Sequence, residues 1–86
     1  MTPLTKAAVR QAAEMLMDQH TETTTLEVKN QLRQQGYKAV QREVSALMDE
    51  LCAEANWEFE FNGRNRIYRR KKDLDKAILN LLFSAN

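Results

Sequence analysis

The 86-residue chain is 43% hydrophobic and 29% charged, a balance that belongs to one small folded domain and excludes both a disordered chain and room for two cores. Thirteen Lys and Arg against twelve Asp and Glu leave a net charge of +1, so only the distribution of charge, not its total, informs about polyanionic partners. One Cys and one His exclude an internal disulfide and a self-contained zinc site, and no apolar run approaches the roughly 20 residues that span a bilayer.

Lys6, Arg10 and Glu14 stand where a secretion signal needs an apolar stretch, so the expected setting is cytoplasmic and without a membrane partner. Val9, Ala12, Ala13 and Leu16 recur at i, i+3, i+4 and i+7 and predict a first helix from Leu4 to about Gln19. Pro3 would sit in its first turn and Thr2 would cap it. Residues 20–25 break that pattern. Thr23, Thr24 and Thr25 favour extended backbone, and Thr24 with Glu27 fits a capping box. A short strand that ends as the cap of a second helix, about Leu26–Gln35, is expected, burying Leu26, Val28 and Leu32. Gly36 then occupies the left-handed position after a helix.

A tight turn over Gly36, Tyr37, Lys38 and Ala39 leads to a third helix. There Val40, Val44, Leu47, Met48, Leu51, Cys52 and Ala55 form a continuous apolar stripe. The period then changes to two. Trp57-Glu58-Phe59-Glu60-Phe61 predicts a half-buried strand whose aromatic residues cover the helices. Asn62-Gly63 signals a turn and Arg66–Arg70 the returning strand. Ile67 joins the aromatic face only if the loop has an odd number of residues, so a loop of three or five is expected. Asp73 would cap a last helix over about Leu74–Ser84. The chain thus divides into a domain over residues 1–72 and a helix over residues 73–86. Leu74, Ile78, Leu81 and Leu82 of that helix either fold back or pair with a second copy as a homodimer.

Charge is concentrated in the hairpin. Arg64, Arg66, Arg69, Arg70, Lys71 and Lys72 face only two acids there, Glu58 and Glu60, which predicts a polyanion contact. In the third helix, Arg42 precedes the acids Asp49, Glu50 and Glu54, so its N-terminal end is the one suited to a polyanion. Catalysis has no such support. The two glycines are 27 positions apart and make no phosphate loop, and Asp49-Glu50 are adjacent and point to different faces. Cys52 belongs to the apolar stripe and His20 to the surface. No enzyme, cofactor, metal or small-molecule ligand is expected.

The segment Val40-Gln41-Arg42-Glu43-Val44-Ser45-Ala46-Leu47-Met48-Asp49-Glu50-Leu51, followed by the Trp57–Arg70 hairpin with its Asn-Gly-Arg-Asn tip, resembles the winged helix-turn-helix DNA-binding superfamily. The resemblance covers roughly residues 5–72 and is one of topology. It implies an α+β winged helix with a three-helix core, a β-hairpin wing and an added C-terminal helix. The implied function is that of a small transcriptional regulator, of bacterial or phage type, that reads double-stranded DNA. Carried over residue by residue, Lys38, Gln41, Arg42 and Ser45 would face the bases, with Arg42 on guanine and Gln41 on adenine. Arg64, Asn65 and Arg66 would reach phosphate or the minor groove, and Thr24 or Thr25 a phosphate. Glu43 departs from the family pattern, in which a Ser or Thr and more cations occupy the start of the reading helix. That departure points to the alternative, a winged helix that binds protein rather than DNA.

Overall fold

The computed structural model describes residues 1–71. The expectations for Lys72, for the helix over residues 74–84 and for pairing through Leu74, Ile78, Leu81 and Leu82 lie outside the described residues. Within them the order is α1 (Lys6–His20), β1 (Glu22–Thr24), α2 (Thr25–Gln34), α3 (Gln41–Glu54), β2 (Trp57–Phe61) and β3 (Arg66–Arg70). The three strands form one antiparallel sheet in the order β1-β3-β2. The class is α+β, in a layout compatible with a winged helix.

The first helix starts later than the sequence suggests. Thr5 is its cap, accepting a hydrogen bond from the Ala8 N–H at 3.1 Å. Thr2 is instead held in a parallel bridge with Tyr37. Its N–H donates to the Gly36 carbonyl at 2.9 Å and its carbonyl accepts from the Lys38 N–H at 2.8 Å. That pairing keeps the chain extended through Pro3, and Thr5 supplies the same capping chemistry three residues on. Val9, Ala12, Ala13 and Leu16 are buried as their spacing requires.

Thr24 caps α2 by accepting from the Glu27 N–H at 3.2 Å. The Glu27 carboxylate does not return to the Thr24 backbone. It accepts from the Thr23 hydroxyl at 3.4 Å, so half of the capping box forms. Val28 and Leu32 are fully buried, whereas Leu26 is 43% exposed. Leu26 lies two positions from Val28, about 200° around the helix, so the two cannot share a face. At the end of α2 the Tyr37 N–H donates to Leu32 O and the Gly36 N–H to Arg33 O, a Schellman closure that requires the positive φ of Gly36 (+90°).

Val44, Met48 and Leu51 carry the buried face of α3, with Leu47, Cys52 and Ala55 half-buried beside them. Val40 does not belong to that face. It is the N-cap, 42% exposed, and Ala39 fills the core before it. The hairpin loop is also corrected. Asn62–Asn65 is a four-residue connection closed by the Asn62 side chain, whose Oδ1 accepts from the N–H groups of Arg64 (2.9 Å) and Asn65 (2.8 Å). An even loop reverses the expected parity. Phe59 pairs with Tyr68 and Phe61 with Arg66, so Tyr68, not Ile67, joins the core face. Tyr68 is fully buried, flanked on β1 by the fully buried Thr23.

The aromatic strand does not cover the helices along its whole length. Trp57 is 2% exposed, Phe59 49% and Phe61 65%. Among the described residues the base of the hairpin is sealed by the helical layer, and the strands carry the last two rings progressively past it.

Candidate nucleic-acid interface

The N-terminal half of α3 and the tip of the hairpin enclose a cleft of about 220 Å³. Gln41 and Ser45 reach it from one side, four residues apart and so on one face of α3. Thr25 enters from the start of α2. Arg64, Asn65 and Arg66 line the opposite wall with Phe61. The sequence-predicted residues Gln41, Ser45, Arg64, Asn65 and Arg66 therefore lie together. Residue by residue, α3 begins without a side-chain cap, so its first N–H groups add a partial positive charge at this end.

The other candidates lie elsewhere. Thr24 is engaged as the α2 cap, and Thr25 takes its place in the cleft. Arg42 is exposed on the first turn of α3 outside the cleft, and Lys38 is exposed in the preceding turn. Lys38 borders a separate hollow of about 400 Å³ with Arg33, Tyr37 and Val40. Arg69 points to the opposite sheet face, where it bridges Glu22 (2.8 Å) and Glu60 (3.0 Å). Those two carboxylates hold its guanidinium even more firmly protonated than usual. Arg70 lies at the base of the hairpin and pairs with Asp18 of α1 at 2.5 Å. Lys71 is exposed just beyond β3, its N–H donating to Asn56 O at 3.1 Å.

The hairpin's positive excess is thus largely offset. Two acids within the hairpin cannot balance its cations, but Asp18, Glu22 and Asp49 arrive from α1, β1 and α3. Among the described residues, Arg64 and Lys71 are the hairpin cations without an ion-pair partner.

Asp49 and Phe61 are the site residues that sequence reasoning missed. Asp49 Oδ1 accepts from Arg66 Nη1 and, at 3.2 Å, from the Tyr68 hydroxyl. One carboxylate therefore ties α3 to β3 and sets the hairpin's angle to the helix. The hydrogen bond to Asp49 raises the Arg66 pKa, and burial raises that of the Tyr68 hydroxyl. The Arg66 guanidinium also lies 5.0 Å from the centre of the Phe59 ring. A signal for Asp49 was present: Gln41, Ser45 and Asp49 form one i, i+4 row facing the hairpin. No local signal marks Phe61, because its exposure depends on where the helices stop.

Among the described residues no cluster of His, Cys, Asp or Glu is gathered to hold a metal ion, and no helix is long and apolar enough to cross a membrane. No protein-family model matches the chain, and no curated protein or solved structure matches it either.

Proposed function

We propose that the chain is a winged-helix domain of a small transcriptional regulator that binds double-stranded DNA. The N-terminal half of α3 enters the major groove and the hairpin acts as the wing on flanking phosphates. The observation that carries the reading is the cleft in which Gln41 and Ser45 of α3 face Arg64 and Asn65 of the hairpin. Its contents suit the task. An uncapped helix start and Arg64, which has no ion-pair partner among the described residues, favour phosphate, while Gln41 in the cleft and Arg42 outside it on the first turn of α3 offer the amide and guanidinium groups that read base edges. Lys38, exposed in the turn before α3, adds a cation ahead of the reading helix. Arg69 and Arg70, held by carboxylates away from the cleft, have no part in it.

The neutralised arginines and the half-exposed Phe59 favour a second reading, a winged helix that docks protein. Amide NMR titration with a random-sequence duplex of about 20 base pairs, at low and then moderate salt, separates the two. DNA binding moves the amides of Lys38–Ser45 and Asn62–Arg66, and salt reverses the shifts. With Lys38, Arg42 and Arg64 each neutralising one phosphate, log K falls against log salt with a slope of about −3. An absence of shifts at low salt leaves only the protein-docking reading.

A further inference from the structure

Among the described residues, the wing presents an aromatic ring that is left mostly exposed. Trp57 seals the base of β2, and Phe59 leans on Tyr68 with its centre 5.9 Å away and Arg66 above it. Phe61 is 65% exposed and forms part of the cleft wall. The other side chains lining that cleft are polar: Thr25, Gln41, Ser45, Arg64, Asn65 and Arg66. A protein partner would favour an apolar surround for such a ring. A ring set among guanidinium, amide and hydroxyl groups suits a planar, hydrogen-bonding, negatively tethered group instead. An unpaired nucleobase has those properties. Its face stacks on the ring, its edge takes amide hydrogen bonds, and its phosphate is neutralised by a neighbouring cation.

Paired bases inside a duplex have both faces covered, so duplex DNA alone does not occupy Phe61. We propose that Phe61 stacks an unpaired base of a DNA strand leaving the duplex held by α3, with Arg64 on the adjoining phosphate. This rests on the duplex-binding reading. The ligand is duplex DNA with a single-stranded end or opening.

The test measures binding of the full chain to labelled DNA by fluorescence anisotropy at one fixed salt concentration. The probes are a blunt duplex of about 20 base pairs, the same duplex with about five unpaired thymidines on either strand, and oligothymidine alone. The overhang is expected to tighten binding roughly ten-fold, the scale of one base stacked on an aromatic ring. Phe61→Ala is expected to bring the ratio of overhung to blunt affinity back to about one, and Phe61→Tyr to keep it near ten. Because Phe61 is mostly exposed, an unchanged far-UV spectrum and melting point should accompany both variants.

Equal binding of blunt and overhung duplex overturns the stacking and leaves the duplex reading intact. So does an overhang gain that Phe61→Ala does not reduce. Phe61-dependent binding of the thymidine strand without any blunt-duplex binding keeps the stacking and removes the duplex reading. An absence of binding to all of these probes overturns both.

Discussion

The base and the tip of the hairpin are built from the same alternation of residues, yet they do different things. At the base, Trp57 and Tyr68 are sealed against the helices, and Arg70 is held by Asp18. At the tip, Phe61 at the end of the same paired register and Arg64 in the loop beyond it stand open. Alternation decides which face a side chain takes, but the reach of the layer beneath decides whether that face is buried. The largest test of this contrast is a pair of truncations. Tyr68→Ala is expected to cost about 3–5 kcal/mol in urea denaturation, as a deeply buried aromatic does. Phe61→Ala should stay within about 0.5 kcal/mol of the parent. Comparable losses at the two positions would mean that the tip is part of the core.

The same contrast explains what was legible in the sequence. The buried faces of α1 and α3 follow from spacing alone, because a helix reports its own face within a few turns. The capping role of Thr24 and the left-handed Gly36 are likewise local. Hydropathy alone points to Ile67 as the core residue of β3, because it is the aliphatic one. Tyr68 takes that place because Asn62 closes a four-residue loop and Asp49 gives the buried ring's hydroxyl a partner. The charge reading missed for a related reason. Arg70 meets an acid 52 residues away and Arg66 one 17 residues away, so neither pairing shows in a count taken along the hairpin.

Asp49 joins the two ends, and its removal should separate stability from binding. Asp49→Ala leaves the Tyr68 hydroxyl without its acceptor, a loss of about 1 kcal/mol in urea denaturation. It also frees Arg66 beside the cleft. Salt titration of duplex binding should then steepen by about 0.9 in slope, the contribution of one more phosphate contact. If the slope stays unchanged, Arg66 is not within reach of DNA even when released.

The arginines of tip and base give a narrower comparison by the same measurement. Arg64→Ala should flatten the salt slope by about 0.9, because its guanidinium has no carboxylate partner among the described residues. Arg70→Ala removes the same formal charge from the same hairpin, yet should leave the slope unchanged, since Asp18 already occupies that guanidinium. Equal changes would mean that net charge, rather than position on the hairpin, governs attraction to DNA.

The smallest effect expected concerns protons at the base. Burial raises the Cys52 thiol above its ordinary value of 9.0, and the charge of Asp49 acts in the same direction. Burial likewise raises the Tyr68 hydroxyl above 10.0. The fold favours the neutral form of both groups. As pH climbs past these values the unfolded chain releases protons that the folded chain still holds, so stability falls as pH rises. Below about pH 9 both contributions are complete and the dependence from these two groups is flat. Lys6, raised chiefly by its hydrogen bond to Glu54, acts with the same sign above 10.5 and so does not mask the onset. Urea midpoints should therefore hold steady from about pH 7.5 to 9 and decline beyond it. Cys52→Ala is expected to delay that decline, and Tyr68→Phe to reduce its upper part. Phe61→Ala should leave the pH profile unaltered, because the tip contributes no group to it. A profile that stays flat through pH 10.5 would mean that water reaches Tyr68 and Cys52 as freely as it reaches Phe61, and the distinction between a sealed base and an open tip would be lost.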